Sequence, residues 1–501
     1  MISMFFENVW ALAHPTTLAF MFAGLLFGLF FGALPGLSAA MAVAILLPLT
    51  FSLDPNVGMA MLVAAYLGGI SGGLVSATLL RIPGTPSSIA TTFDAYPLAR
   101  SGQPVKALAT GIVASAAGAI LSLVVLVLCA PIIAKFAIKI GAHEYAALTL
   151  AALMLVVILS ESNLAKGLMA TAFGIALAMI GFAPIGATPR FAFGQVDLMA
   201  GISIIPFMVG LFAVSTVIKT IMEPSLKLPS DMKLGGKGFG ISMSEFISNR
   251  WNILRSGAIG VGIGVLPGIG GTASNLISYA TARQQSKTPE KFGKGSLEGI
   301  YASETANNAS VGGALLPLLT LGIPGDGVTA ILIGGFTIHG LQPGPMLLTK
   351  EPSLVSMIYA AFLIATILLL MIQMFTIRIF PRVLGVPREI LMPLLVVLMV
   401  TGTFVSDNRV FDVWVMLAFG VLGYFLERGG YPLGPMVLGF VLSPILETNF
   451  RRALSYSQGD WSEFVTRPIS AVFVLLAVIL LITGVRKAIG KRSLKRAEAL
   501  A

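Results

Sequence analysis

Apolar stretches long enough to cross a membrane recur along the chain from about residue 16 to residue 486. Because one helical crossing needs roughly 20 apolar residues, this pattern predicts about ten to twelve membrane segments. The stretches are continuous and do not alternate with polar positions, which favours helices over the strands of a membrane barrel. The predicted fold class is therefore an all-α polytopic membrane protein.

Two glycine-proline breaks interrupt the apolar pattern in each half of the chain, in the same order. Gly32–Leu37 (GALPGL) is echoed by Gly264–Ile269 (GVLPGI), and Ile82–Thr85 by Ile323–Asp326. An unpaired backbone N–H or C=O group in hydrocarbon costs several kcal/mol, so such a break persists only where protein or a wet cavity satisfies it. Breaks in duplicated halves are typical of secondary transporters with a substrate site near the bilayer midplane.

The first break of the second half is predicted to be the tip of a re-entrant hairpin. About 10 residues precede the Leu266-Pro267-Gly268 tip and about 14 follow it, so each arm is shorter than a full crossing. Basic residues mark cytoplasmic loops. They are dense on both sides of residues 256–282, which must then enter and leave on the cytoplasmic face.

The first break of the first half predicts a second hairpin, entering from the opposite face. Its tip is Leu34-Pro35-Gly36, and its flanks at 1–15 and 52–58 hold no Lys or Arg. This hairpin is expected to open to the outside. The two halves are thus predicted to be inverted repeats, each with a re-entrant hairpin and a broken helix, in an elevator-like secondary transporter whose hairpin tips converge.

The positions of the basic residues also predict the order of the parts along the chain. The tail is rich in Lys and Arg, which places the C terminus in the cytoplasm, and counting crossings back from it places the N terminus in the periplasm. Residues 57–98 and 300–341 are each roughly twice as long as one broken crossing needs, and their path stays open. The predicted parts are a first transmembrane repeat at 1–218, a cytoplasmic linker at 219–255, a second transmembrane repeat at 256–485 and a basic cytoplasmic tail at 486–501.

Composition excludes several classes of protein. With 56% hydrophobic and 11% charged residues and a mean hydropathy of +0.92, the chain is too apolar for a soluble globular protein. The net charge of +10 lies in loops and in the tail, where membrane orientation explains it better than binding to nucleic acid. A single cysteine and three histidines without ligand spacing predict no disulfide, no metalloenzyme and no resident cofactor.

A helix that restarts after a break presents free N–H groups and a positive dipole end, which suits an anion. Thr85 has the form of such a restart, as an N-cap before Pro86. Hydroxyl, amide and carbonyl oxygens near the breaks suit a coupling Na⁺ ion, and a carboxylate at membrane depth suits Na⁺ or a proton. The predicted substrate-binding residues are Pro35, Gly36, Gly84, Thr85, Pro86, Ser87, Ser88, Pro267, Gly268, Thr272, Asn275, Pro324 and Gly325. The predicted coupling-ion residues are Asp326, Asn307, Asn308 and Glu304. The alternatives are plain helix caps at Thr85 and Asp326 and close helix packing at the glycines.

In combination, these stretches resemble the large membrane subunit of tripartite tricarboxylate transporters, the TctA family. The matching residues are Gly32–Leu37, Tyr66–Gly69, Arg81–Ser88, Gly264–Gly271, Glu304–Asn308 and Gly322–Asp326. The resemblance implies a subunit in the bacterial inner membrane that imports citrate-like di- and tricarboxylates, driven by a Na⁺ or proton gradient. It also implies two protein partners, a small TctB-like membrane subunit and a periplasmic TctC-like solute-binding protein.

Two other functions are weighed against transport. Gly69-Ile70-Ser71-Gly72 matches the G-x-S-G of rhomboid-type intramembrane serine proteases, with His339 as the imagined base, but the motif is short and glycine is abundant. The other protease motif, G-x-G-D, is not met before Asp326. A channel is the second alternative, because broken helices also build selectivity filters. Inverted halves in one chain favour alternating access.

Overall fold

The computed structural model describes residues 2–159, 164–222, 238–268, 270–379, 382 and 384–500. The first half contains α1 (Ile2–Leu12), α2 (Pro15–Ala33), α3 (Ala39–Leu46), α4 (Pro55–Leu80), α5 (Thr91–Arg100), α6 (Pro104–Ala137), α7 (Ala142–Leu159), α8 (Leu164–Ala178) and α9 (Ile204–Met222). The second half contains α10 (Met243–Ser248), α11 (Arg250–Gly264), α12 (Gly270–Gln285), α13 (Leu297–Leu321), α14 (Gly327–Ile338), α15 (Pro345–Lys350), α16 (Pro352–Thr376), α17 (Arg388–Asp407), α18 (Val410–Arg428), α19 (Leu433–Tyr456), α20 (Glu463–Thr466) and α21 (Pro468–Leu500).

Ten helices within the described ranges are long and apolar enough to cross a membrane. They are α2, α4, α6, α7, α9 and α16–α19, together with the first part of α21. The fold is therefore that of an all-α polytopic membrane protein, as the apolar pattern predicts. The sheet in the described chain is one antiparallel pair, Gly181–Phe182 (β1) with Pro189–Arg190 (β2).

In the first half, α2 and α4 run parallel with their backbones in direct contact. A Cβ atom at Gly28 or Gly32 would overlap the carbonyl oxygen of Ala65 or Gly69, respectively. The chain then turns at Gly36, whose φ of 92° is easy only for glycine. Helix α3 returns towards the beginning of α4, so α2 and α3 form a hairpin on α4.

The same arrangement recurs in the second half. A Cβ atom at Gly260 or Gly264 of α11 would lie 2.5 Å from the carbonyl oxygen of Ala306 or Ser310 of α13, respectively. Gly268 turns the chain with a φ of 81°, and α12 runs back along α13. The hairpin shape of both segments is thus a feature of the fold, and their position in a membrane stays a prediction.

The two long helices α4 and α13 run antiparallel and meet at their middles. Ser71 of α4 donates a hydrogen bond to Asn308 Oδ1 of α13, at 2.6 Å. Tyr66, nearer the beginning of α4, donates to Asp326, just beyond the end of α13. Antiparallel long helices are what an inverted repeat requires. The repeat boundaries and the inverted orientation in the bilayer stay predictions.

The sequence leaves the path of residues 57–98 and 300–341 undetermined, and the structure shows it. Helix α4 has 26 residues and α13 has 25, enough for about 38 Å at 1.5 Å per residue. Each is followed by a break and then a short helix, α5 or α14, of 10 or 12 residues. The excess length is therefore a complete long helix plus a short one.

The remaining helices, α7–α9 and α17–α21, pack mainly on one another and form an outer group. The hairpin tips face this group: the Cβ position of Gly36 is 3.7 Å from Thr220 Oγ1 of α9, and that of Gly268 is 2.9 Å from Val156 of α7. Much of the predicted linker at 219–255, including Lys227, Lys233 and Lys237, lies outside the described residues. Most side chains of the predicted tail at 486–501 do as well.

One predicted membrane segment is shorter than expected. The apolar run at 167–188 predicts a crossing, but α8 ends at Ala178 and the chain continues into the β1–β2 pair. Gly181 and Gly186 adopt positive φ there, and Pro184 and Pro189 lack an N–H donor. These residues end the helix.

We expect Gly28→Ala to destabilise the protein by about 1–3 kcal/mol, because α2 must move away from α4 to accommodate the methyl group. Gly262→Ala is the matched control: its Cβ position on α11 has nothing within 4 Å, so this variant should be neutral or gain up to about 1 kcal/mol from helix propensity. Thermal unfolding of the purified variants in detergent measures both. Equal effects would contradict the close contact.

Candidate functional site

In each half, the second break lies against the end of the helix that precedes the first break. A Cβ atom at Gly84 would overlap the carbonyl oxygen of Gly32, and one at Gly325 would lie 2.6 Å from that of Gly264. The N–H of Gly268 donates to the Gly325 oxygen at 2.9 Å. The Gly268 N–H and the Gly325 carbonyl group are thus satisfied within the second half, and Gly84 and Gly325 permit the close approach of the backbones in both halves.

The restart after the first long helix is one turn of 3₁₀ helix, with Thr85 as its N-cap and Pro86 at its first position, as the sequence predicts. Thr85 precedes the turn Pro86–Ser88, the Ser88 hydroxyl donates to the Thr85 carbonyl oxygen at 2.9 Å, and the hydroxyls of Thr85 and Ser87 are 3.0 Å apart. Regular helix begins only at Thr91. Thr85, Ser87 and Ser88 are buried, whereas Pro86 is exposed.

The two halves meet where this turn faces the first residues of α12. The Cβ position of Gly271 is 2.6 Å from Ser87 Cβ, 2.8 Å from Asn307 Oδ1 and 3.2 Å from Ser310 Oγ. The Asn307 side chain is fully buried, and neither of its amide atoms makes a hydrogen bond of good geometry to a described residue. Its one polar neighbour of note is the Glu304 carboxyl group, one turn back on α13. A poorly satisfied buried amide costs roughly 1–3 kcal/mol, so Asn307 has hydrogen-bonding capacity that the described residues use only in part.

The other two predicted asparagines hold the halves together. Asn275 Oδ1 accepts from the N–H of Ala90 at 2.7 Å, and its Nδ2 donates to the Ser303 carbonyl oxygen at 3.0 Å. Asn308 accepts from Ser71 and donates to the Glu304 carbonyl oxygen at 3.2 Å. Both amides therefore make hydrogen bonds of good geometry within the chain, in contrast to Asn307.

Asp326 is the N-cap of α14, and both of its carboxylate oxygens are used. Oδ1 accepts from the backbone N–H of Thr329 at 2.8 Å and from its hydroxyl at 2.8 Å. Oδ2 accepts from the Tyr66 hydroxyl. The cap alternative for Asp326 thus has full geometric support, while its predicted part in ion coupling stays a prediction.

Glu304 is a fully buried carboxyl group on α13. Its Oε1 accepts from Thr91 Oγ1 of α5 at 2.5 Å, and its Oε2 accepts from Ser115 Oγ of α6 at 2.9 Å. Across the described ranges, no Lys, Arg or His lies within ion-pair distance of it. The structure places Glu304 in the polar centre, on the same helix as the predicted coupling-ion residues Asn307 and Asn308.

The remaining predicted residues lie at the hairpin ends and breaks. Gly36 and Gly268 are exposed, Pro35, Pro267 and Thr272 are partly buried, and Pro324 is buried. The polar centre brings together Ser87, Asn275, Asn307, Asn308 and Glu304.

Sequence reasoning missed four residues of this centre: Tyr66, Ser71, Thr91 and Ser115. Tyr66 and Ser71 lie in two motifs that the sequence offers for other reasons: Tyr66 in the family motif Tyr66–Gly69, and Ser71 in the protease-like motif at 69–72. Thr91 and Ser115 carry no signal in the sequence, since threonine and serine are ordinary in helices that pack closely.

The protease alternative has no support in the geometry. Ser71 donates to Asn308, whereas His339 lies beside Gly58, whose Cβ position is 2.9 Å from His339 Nε2. Gly58 and Ser71 are both on α4, about 20 Å apart at 1.5 Å per residue. The two side chains therefore cannot form a Ser-His pair in this structure. Within the described residues, no three His, Cys, Asp or Glu side chains form a metal-binding group.

Fold and site together define a helical, multi-pass membrane protein with broken helices around a buried polar centre. The chain belongs to the tripartite tricarboxylate transporter TctA family, whose model matches residues 18–438. Membership implies a subunit of a tricarboxylate transport system that works with partner subunits. No solved structure matches the chain significantly.

Two relatives from Agrobacterium vitis are similar to this chain. One, described as "Uncharacterized 52.8 kDa protein in TAR-I ttuC' 3'region", is 35% identical over 479 residues and covers 94% of both chains. The other, described as "Uncharacterized protein in TAR-II ttuC' 3'region", is 39% identical over 220 residues, which is 44% of this chain and 91% of that relative.

We expect Asp326→Ala to lower the free energy of unfolding by about 2–3 kcal/mol, because it removes the cap of α14 and strands the Tyr66 hydroxyl. Asp326→Asn keeps an oxygen for the cap but offers Tyr66 a donor in place of an acceptor, so it should lose about 1 kcal/mol less than Asp326→Ala. Unfolding in detergent compares the two. Equal losses would show that the charge, and not the cap, stabilises this region.

Proposed function

We propose that the chain is the translocating subunit of a secondary importer for small di- and tricarboxylates of the citrate type. The observation that carries this proposal is Asn307, a fully buried amide that makes no hydrogen bond of good geometry and faces the first turn of α12 and the Ser87 turn. An amide NH₂, hydroxyls and the N–H groups of a 16-residue helix are donors that suit a carboxylate.

We infer that a substrate carboxylate binds between the Thr85–Ser88 turn and the N terminus of α12, with Asn307 as a donor. The surrounding atoms are in close contact, since the Cβ position of Gly271 is less than 3 Å from both Ser87 and Asn307. Binding therefore requires the turn and α12 to separate. The coupling ion, Na⁺ or a proton, is assigned to the neighbouring predicted residues Glu304, Asn307, Asn308 and Asp326.

We propose an elevator-like movement in which the hairpin-bearing helices move as one body against the outer group. The support is the packing: hairpins and long helices touch backbone to backbone, while the tips meet α7 and α9 through side chains. The proposed setting is the bacterial inner membrane with the N terminus in the periplasm, and the proposed partners are a small TctB-like subunit and a periplasmic TctC-like solute-binding protein.

The test is uptake of labelled di- and tricarboxylates into proteoliposomes that hold this chain, its small subunit and its binding protein, with and without Na⁺ and proton gradients. Gradient-dependent uptake of at least one acid is expected. Absence of uptake of every acid under both gradients would overturn the proposal.

Asn307→Leu sharpens this test. We expect it to abolish uptake while leaving stability unchanged or raised by about 1 kcal/mol, because the protein loses no hydrogen bond of good geometry. Asn308→Leu is the matched control on the same helix. It should lower stability by about 1–3 kcal/mol, since it leaves the buried Ser71 hydroxyl without its partner. Normal uptake by a stable Asn307→Leu protein would remove Asn307 from the substrate site.

The proposed orientation predicts opposite labelling of two exposed positions in a Cys129→Ala background. A cysteine at Asn56, in the first turn of α4, should react with a membrane-impermeant thiol reagent added outside intact cells. A cysteine at Lys287, after α12, should react only after the membrane is opened. Labelling of both from the same side would contradict inverted halves.

A further inference from the structure

Glu304 has no positively charged partner among the described residues. Its carboxyl group is 0% exposed, and no basic side chain in the described part of the chain lies within ion-pair distance. A buried, unpaired carboxylate costs several kcal/mol. The group must therefore bind a cation or take up a proton.

Ionisable groups on the helices around Glu304 are engaged elsewhere or exposed. Arg100, Lys135, Arg250 and Arg283 are exposed, Glu298 is partly buried, and Tyr301 packs on Phe246. The others have named partners: Tyr66 of α4 with Asp326, Asp94 of α5 with the N–H groups of Gly293, Gly295 and Ser296, Tyr96 of α5 with Arg81, Lys106 of α6 with Glu245, Arg255 of α11 with Asn252 and Gln285, and Tyr279 of α12 with Asp94.

Resting on the proposed function, we propose that a proton is the coupling ion and that Glu304 carries it. Its two oxygens contact the hydroxyls of Thr91 and Ser115, and a hydroxyl can both donate and accept. When Glu304 is ionised, both hydroxyls donate to it. When Glu304 is protonated, Ser115 can turn its hydrogen to a carbonyl in the preceding turn of α6, as serine in helices often does, and accept from the carboxyl. Neither state leaves a donor unpaired.

The contacts of Glu304 fit a proton site. Its carboxylate oxygens are 2.5 Å from Thr91 Oγ1 and 2.9 Å from Ser115 Oγ, which are hydrogen-bond distances. A proton is held by this arrangement without any movement of the surrounding oxygens.

The position of Glu304 connects the proton to the proposed substrate site. Asn307 follows it by one turn of α13, and Thr91 begins the helix that follows the Ser87 turn. Opening that turn for substrate therefore moves Thr91 relative to Glu304 and admits water to the carboxyl group. A proton from water joins a carboxylate oxygen on the outer side, and the O–H bond breaks to water on the inner side, without any electron transfer.

The test uses the complete three-component system in proteoliposomes with the membrane potential held at zero. For the wild type, a pH gradient of about one unit should drive about tenfold accumulation of substrate per proton carried, and an internal pH dye should report proton entry with substrate. Glu304→Gln keeps partners for both hydroxyls. It should lose accumulation and proton entry, yet exchange substrate between preloaded and external pools at close to the wild-type rate. Glu298→Gln, on the same helix, is the matched control and should retain all three activities.

The outcomes separate the two proposals. If the wild type transports no acid, the proposed function itself fails. If the wild type transports but only a Na⁺ gradient drives accumulation, without proton entry, the proton assignment is overturned. Accumulation by Glu304→Gln under a pH gradient, or loss of exchange in this variant, would also overturn it, because Glu304 would then be dispensable or would act in binding or folding.

Discussion

In each half, the backbone at the end of the first hairpin helix is in close contact with the second break. The carbonyl oxygen of Gly32 lies against Gly84, and that of Gly264 lies against Gly325. A side chain at Gly84 or Gly325 would separate the hairpin from the break and leave backbone groups unpaired in an apolar interior, at several kcal/mol for each group. The breaks can therefore exist because the helices touch backbone to backbone. The polar centre lies beside these contacts and depends on them.

The long helices α4 and α13 run antiparallel and contact each other near their middles, so residues of both halves line one polar centre. Hydrogen bonds run in both directions between the halves: Asp94 of α5 accepts from the N–H groups of Gly293 and Gly295, and Asn275 of α12 accepts from the N–H of Ala90. These bonds join the first half to the loop and hairpin of the second. The short helix of one half and the hairpin of the other are thereby held together at the polar centre.

The membrane class, the positions of the four breaks and the hairpin shapes could be predicted from the sequence, because apolar length and glycine-proline pairs act locally. The fate of individual polar residues could not. Nothing in the sequence distinguishes Asn275, Asn307 and Asn308, yet only Asn307 lacks a hydrogen bond of good geometry. Asn275 and Asn308 bond to Ala90 and Ser71, each more than 180 positions away in the chain, and Asn308 also bonds to Glu304 one helical turn back. Such pairings arise from the packing of the halves, which no local pattern encodes.

The two halves correspond in sequence around their second breaks. Aligning these breaks places Thr85 opposite Asp326 and Tyr66 opposite Asn307. Tyr66 donates to Asp326, so this contact between the halves is complete within the protein. The corresponding contact, between Asn307 and the turn that begins at Thr85, has no hydrogen bond of good geometry. One of the two matching contacts thus closes the structure, and the other leaves hydrogen-bonding capacity where the halves meet.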